Sequence, residues 1–209
     1  MAVDFKNSKT KENLMRAFAG ESQARNRYTY ASEQAHEEHL YVLEYVFRFT
    51  ADQERAHGKI FYDLLKDLSG ENIEIDGTYP VDISESYAEL LRMAEHNERE
   101  EHEHVYKEFE ETARQEGFDD IARVFFMIGR VEEMHADRFS KFAKWMEENK
   151  LFISDVTTQW MCLNCGFTTL AKEAPKECPS CGEEQGFFIR LELAPYTDKE
   201  MSEFTQDNQ

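Results

Sequence analysis

Residues that break regular structure are scarce in this chain of 209: four prolines and nine glycines. So few punctuation points argue against a fold of many short strands and favour long helices. Basic residues are also few, 24 Lys and Arg against 43 Asp and Glu, for a formal net charge of −19. A surface of that sign repels phosphate backbones and anionic lipid, which argues against nucleic-acid and membrane partners. No apolar run reaches the roughly 18 residues that a membrane-crossing helix needs. The N-terminal MAVDFKNSKTK has no apolar segment of the export type, so the expected location is cytoplasmic. Cysteine is confined to Cys162, Cys165, Cys178 and Cys181. In a chain with no export signal, thiols so clustered point to a metal site rather than to disulfides.

What is present is helical periodicity. A helix is expected over 10–35, with Leu14, Phe18, Glu21, Tyr28, Ala31 and Ala35 on its inward stripe. A second runs over 40–68 through Leu40, Leu43, Phe47, Glu54, His57, Phe61, Leu64 and Leu68, a short link making it antiparallel to the first. Residues 69–85 show no helical pattern and suit one long crossover. The third helix starts near Ser86, where Ser86 and Glu89 match a capping box; its stripe is Tyr87, Leu91, Ala94, Glu98, Glu101, Val105, Phe109 and Thr112. After a link at 117–119 the fourth carries Ile121, Phe125, Ile128, Glu132, His135, Phe139, Phe142 and Met146.

Each stripe is interrupted by acid or histidine where an apolar residue belongs. Two interruptions read Glu-x-x-His, Glu54 with His57 and Glu132 with His135, and residues three apart on a helix share a face. Alone, each pair is a common surface arrangement. As an ordered set the interruptions also repeat: Glu21 to Glu54 is 33 positions and Glu98 to Glu132 is 34. Unpaired buried carboxylates are costly, so the set Glu21, Glu54, His57, Glu98, Glu101, Glu132 and His135 makes sense around cations. Oxygen-rich ligation with one imidazole per ion suits iron or manganese better than zinc. One Glu from each of two helices, plus Glu-x-x-His from the other two, is the ligand pattern of ferritin-like dinuclear bundles.

Charge arithmetic adds a redox argument. Two ferrous ions carry the same charge as two ferric ions bridged by an oxide, and five carboxylates balance either state equally. Such a centre suits two-electron reduction of an O–O bond. Glu101 is spare in this count, and the expectation is an exchange in which Glu101 serves ferric iron and His57 serves ferrous. Tyr28 and Tyr106 lie about two helical turns from a ligand glutamate and are candidates to hydrogen-bond those carboxylates. His36, His39, His96, His102 and His104 are expected at the surface.

The remaining module holds Cys-x-x-Cys twice, each pair followed by glycine (Gly166, Gly182). Four thiolates make a tetrahedral site for zinc or a single iron, and the spacing does not separate the two. Beside a centre that needs electrons, iron is the metal with a purpose.

AFAGESQARNRY (17–28), TADQERAH (50–57), EGFDDIARVF (116–125), EEMHADRF (132–139), WMCLNCGF (160–167) and CPSCG (178–182) together resemble the rubrerythrin family. The resemblance covers nearly the whole chain and departs from it at Asn97, where the family often has glycine. It implies a mainly α, ferritin-like four-helix bundle over 1–152, holding two non-haem irons with oxo and carboxylate bridges. It implies a rubredoxin-like β domain over 153–195 with one iron on Cys162, Cys165, Cys178 and Cys181, and leaves an acidic flexible tail over 196–209. Glu54 and Glu132 then look like bridging ligands and Glu21 and Glu98 like terminal ones. His135 would bind one iron, and Glu101 and His57 match an exchanging pair. The implied activity is a cytoplasmic peroxidase reducing hydrogen peroxide to water, fed from an NAD(P)H-dependent reductase, often through rubredoxin, in a homodimer. Rival readings are a ferroxidase or iron-storage protein, an oxidase using O2, and a non-enzymatic bundle with a zinc ribbon.

Overall fold

The computed structural model describes residues 3–196. Of the expected acidic tail, residues 197–209 lie outside the described residues. The helices are α1 (Lys9–Glu37), α2 (Tyr41–Leu64), α3 (Tyr87–Glu100), α4 (Tyr106–Glu116) and α5 (Asp119–Glu147). A π-helical turn, Glu101–Val105, joins α3 to α4, so the two form one interrupted rod and the bundle has four. The strands are β1 (Ile153–Cys162), β2 (Thr168–Glu173) and β3 (Phe188–Arg190). The chain thus combines a mainly helical, ferritin-like bundle with a small three-stranded, rubredoxin-like module. Contacts divide it into two compact units, one of Met1–Tyr30 with Arg48–Lys144 and one of Ala31–Phe47 with Trp145–Gln209.

In the first unit the stripes face inward. Leu14, Phe61 and Phe125 are fully buried, Phe61 and Phe125 stacking at 5.3 Å between centroids. Each such side chain contributes about 1.5–3 kcal/mol through burial. Helix starts are closed by side chains. The Ser8 hydroxyl accepts from the Lys11 amide, and the Glu116 carboxylate accepts from the amides of Lys9 and Thr10 at 2.9 and 2.8 Å and from the Thr10 hydroxyl at 2.6 Å. α3 is capped by Ser86, which accepts from the Glu89 amide. The return half of the expected capping box is relayed: the Ser84 hydroxyl donates to Glu89 and accepts from the Ser86 amide. The crossover has no strand or helix after Lys66–Leu68. It is pinned through Asp82, which accepts from Arg27 on α1 and from Asn97 on α3.

The π-turn corrects the expected third stripe. The Tyr106 amide bonds back five residues to the Glu101 carbonyl, which places one more residue in that turn than an α-helix holds. Everything after it is rotated by one position. Tyr106 and Ala113 are therefore the buried residues in place of the expected Val105 and Thr112.

In the second unit the sheet has the order β2-β1-β3, antiparallel throughout. Its core is Trp160, Phe188 and Ala174 with Cys162 and Cys178. Arg190 lies over the rings of Trp145 at 4.2 Å and Trp160 at 5.3 Å. β3 is only three residues long, being flanked by single 3-10 turns. Here the Phe187 carbonyl leaves the ladder to accept from the Leu163 amide between the first two cysteines. The turn between α1 and α2 belongs to this unit, with Tyr41 stacked on Phe187 at 3.9 Å.

Candidate metal centres

Six of the seven expected carboxylate and imidazole ligands converge in the first unit. Glu21, Glu54, His57 and Glu132 form one set whose ligand atoms lie within 4.8 Å of one another; Glu54, Glu98, Glu132 and His135 form another. Glu54 and Glu132 belong to both. All six side chains are buried. Helical spacing accounts for this, since each Glu-x-x-His places both groups on the face its apolar stripe turns inward.

The donor atoms crowd around two shared centres. His57 Nδ1 lies 3.0 Å from Glu132, 3.4 Å from Glu54 and 3.6 Å from Glu21. His135 Nδ1 lies 2.8 Å from Glu132, 2.9 Å from Glu54 and 3.3 Å from Glu98. Yet Glu21 Oε2, both oxygens of Glu54, both of Glu132 and His57 Nδ1 are buried without an aligned hydrogen-bond partner. Orphaned lone pairs on buried carboxylates are costly, and converging ones match what a cation site requires. The donor set of oxygens with one imidazole per position fits iron.

Electrostatics point the same way. Burial, then the charges of Glu132 and Glu54, hold the Glu21 carboxyl well above its usual range. Burial and the charge of Glu54 raise Glu98 to about 8. For His135 burial works against the charged ring, but Glu132, Glu54 and Glu98 outweigh it and push the ring up to about 12. His57 is raised for the same reasons, with burial opposed by Glu132, Glu21 and Glu54. Burial alone would raise Glu54, but the two nearby imidazoles, His135 and His57, outweigh it and lower the carboxyl. Acid this concentrated holds positive charge, whether as protons or as metal.

Both expected tyrosines touch the cluster, each across the bundle. Tyr28 of α1 donates to Glu98 of α3, and Tyr106 of α4 donates to Glu21 of α1. Glu101 is the exception among the seven. It is half-buried, stands in the π-turn outside both sets, and lines a cavity of about 260 Å³. Its carboxyl is held well above the usual range by burial and by the charges of Glu98, Glu132 and Glu54. Glu95, one turn before Glu98, is turned away and paired with Arg92 at 2.6 Å and Arg99 at 3.2 Å.

Sequence reasoning missed the support behind His135. Its Nε2 lies 3.1 Å from Gln53 Oε1, which also accepts from Arg138 at 3.0 Å. Arg138 in turn donates to Thr50 at 2.8 Å. An oxygen already accepting from Arg138 needs an N–H from His135, so Nε2 carries the proton and Nδ1 faces the cluster as a ligand. Thr50 and Gln53, three apart inside TADQERAH, were the available sign.

In the second unit the four cysteines converge with ligand atoms within 4.8 Å. Cys162 and Cys181 sulfurs are 3.8 Å apart, Cys165 and Cys178 3.7 Å. A tetrahedron with metal–sulfur bonds of about 2.3 Å has edges of about 3.8 Å. These are metal-site separations, far beyond a disulfide bond. Gly166 and Gly182, at φ 79° and 76°, supply the left-handed turn after each pair. The amides of Asn164 and Cys165 face the Cys162 sulfur, and those of Ser180 and Cys181 face Cys178. Burial pushes Cys162 up to about 12, whereas the Asn164 side chain and the Glu183 amide lower Cys181 to about 7. Cys165 and Cys181 are exposed.

A helical bundle with a carboxylate-rich dinuclear cluster, joined to a four-thiolate module, defines a ferritin-like di-iron protein with a rubredoxin-like site. Comparison with known proteins agrees in both parts: the Rubrerythrin model matches residues 12–143, and the model for the rubredoxin-like domain of rubrerythrin matches 160–189. The chain belongs to the rubrerythrin family. It is 44% identical to rubrerythrin of Clostridium perfringens over 88% of this chain and 94% of that one. It is 40% identical to rubrerythrin of Nitratidesulfovibrio vulgaris over 89% and 96%. Among solved structures it resembles nigerythrin in a partially reduced state, with TM-score 0.59 and 25% identity over 91% and 88% of the two chains.

Proposed function

We propose that this chain is a peroxidase that reduces hydrogen peroxide to water in oxidative-stress defence. Its own thiolate iron would relay electrons to the di-iron centre from an NAD(P)H-dependent reductase, directly or through rubredoxin. The observation that carries the reading is the pairing, in one chain, of a carboxylate cluster whose donors converge on two positions with a four-thiolate site. A storage or ferroxidase role leaves the thiolates without a task, and a zinc-ribbon binding module leaves the buried carboxylates without one.

In this reading Glu21 and His57 would hold one iron and Glu98 and His135 the other, with Glu54 and Glu132, common to both sets, shared between them. When bound, the irons would supply the two electrons that the O–O bond requires; the remaining roles belong to the chain's own residues. Tyr28 and Tyr106 keep Glu98 and Glu21 in place, and Gln53 keeps His135 in its metal-binding tautomer. Glu101 is the replacement ligand. His57 lies in one of the two sets and Glu101 stands outside both, so Glu101 is the residue that would have to move to serve as a ligand. The same reading places the bundle at 1–152 and the thiolate module at 153–195, in a cytoplasmic homodimer. Among the described residues no helix is long and apolar enough to cross a membrane.

The test is anaerobic reduction of the iron-loaded protein, followed by hydrogen peroxide in one sample and O2 in another. The return of ferric thiolate colour is timed in both. Faster return with peroxide is expected. Faster return with O2 turns the reading to an oxidase or ferroxidase, and no colour in either state removes the relay.

A further inference from the structure

The cavity beside Glu101 is larger than hydrogen peroxide needs. It lies within the first unit, between α1, the crossover and the rod of α3 and α4, and measures about 260 Å³. A water occupies about 30 Å³ of liquid, so hydrogen peroxide fills a small part of it. The floor is Glu101 with the buried Tyr106, whose hydroxyl donates to Glu21 of the carboxylate cluster. The mouth is formed by the exposed Gly77, Thr78 and Tyr79.

Between mouth and floor most of the wall is apolar, Ala17, Val105 and Phe109 with the Tyr79 ring, and Gln23 and Asn97 add uncharged polar groups. Its charged members favour a neutral occupant. The Arg16 guanidinium is already paired with Asp76 at 2.7 Å and Glu12 at 3.3 Å. Glu100 remains on the wall and repels anions. The crossover is held over the cavity rather than hanging free. Asp82 is tied to Arg27 and Asn97, and the Tyr79 hydroxyl donates to the Arg16 carbonyl at 3.3 Å.

We propose that this cavity admits neutral alkyl hydroperoxides, R–O–OH with a small apolar R, as substrates of the same centre; this rests on the peroxidase reading. The apolar group lies against Val105 and Phe109 and the hydroperoxyl end reaches the floor at Glu101 and Tyr106. The reaction is R–O–OH with two electrons and two protons giving R–OH and water. The O–O bond breaks, the two electrons would be supplied by the di-iron pair when bound and reduced, and the protons come from solvent. Val105 and Phe109 are then the residues that set the size of R.

The test uses the full-length, iron-loaded protein with cumene hydroperoxide and hydrogen peroxide as alternative substrates. Both are expected to be reduced. Val105→Trp, which fills the cavity, is expected to lower the ratio of kcat/KM for cumene hydroperoxide to that for hydrogen peroxide at least tenfold. Ala17→Leu is the second variant should Val105→Trp not fold. Independently of turnover, cumyl alcohol, the unreactive product, is expected to raise the Tm of the oxidised protein and to lose that effect in the filled variant. Reduction of hydrogen peroxide with no reduction of cumene hydroperoxide overturns the proposal and leaves the peroxidase reading intact. An unchanged ratio in the filled variant, or no Tm rise with the alcohol, also overturns it. Reduction of neither peroxide overturns the peroxidase reading itself.

Discussion

The two halves of the bundle make the same site with one residue's difference. Each half supplies a glutamate, a tyrosine and a Glu-x-x-His, and each tyrosine reaches across to the other half's glutamate. From Tyr28 to Glu54 is 26 positions, and from Tyr106 to Glu132 is also 26. From Glu21 to Tyr28 is seven, two α-helical turns, whereas from Glu98 to Tyr106 is eight. The extra residue is the one the π-turn absorbs, and it accounts for the whole offset between the repeats. The same turn carries Glu101, whose counterpart three residues after Glu21 is the buried Ala24. The halves differ again in their imidazoles. Gln53 fixes His135, while nothing equivalent is bonded to His57 among the described residues. A duplicated scaffold thus holds its shared carboxylates symmetrically and differs between its halves at Glu101 and at the imidazole partners.

The sharpest break is at the shared carboxylates. Glu54→Ala and Glu132→Ala should each abolish binding of both irons in the cluster, with thiolate iron unchanged and peroxide turnover down by roughly 100-fold or more. Metal analysis with steady-state kinetics checks this; a clear difference between the two variants would contradict their equivalence. Next is the one-sided element. Glu101→Ala should keep two cluster irons per chain, because six ligands remain, yet slow peroxide turnover by about 10- to 100-fold. Loss of one iron instead would make Glu101 an ordinary ligand.

Tyr28→Phe and Tyr106→Phe probe the crossed hydrogen bonds. Each should weaken iron affinity by about tenfold, and by similar factors, measured by competition with a chelator. The smallest effect lies at the helix starts. α1 is capped by its own Ser8 and also by Glu116 from the other half, whereas α3 is capped by Ser86 from its own half. Glu116→Gln should cost about 1 kcal/mol in denaturant unfolding. The Glu116 carboxyl is held below its ordinary 4.5, burial being outweighed by hydrogen bonds from Thr10 and the Lys9 amide. A lowered folded pKa stabilises above the unfolded value, so this contribution is present above about pH 4.5 and disappears as pH falls through the folded pKa. The Gln variant should lack that part of the acid slope.

Much of this was legible from periodicity, for stated reasons. Apolar stripes place Glu21, Glu54, His57, Glu98, Glu132 and His135 on inward faces, and the two cysteine pairs need no tertiary information. Periodicity failed where the structure departs from period. Val105 and Thr112 were expected inside because a π-turn has no composition of its own, and the charge-rich run through Glu103 masked it. Gln53, Arg138, Asp82 and Glu116 act across distant segments, and nothing in their local pattern names a partner. Glu101 shared the stripe on paper, but the π-turn leaves it outside the cluster at the cavity.

The central claim is that two irons share Glu54 and Glu132 at one site drawn from both halves. Mössbauer spectroscopy of the oxidised protein loaded with 57Fe tests it directly. The account predicts a spin-coupled diferric pair alongside one ferric thiolate iron, in a ratio of two to one. Uncoupled high-spin ferric ions in the bundle, or one iron there per chain, would contradict it.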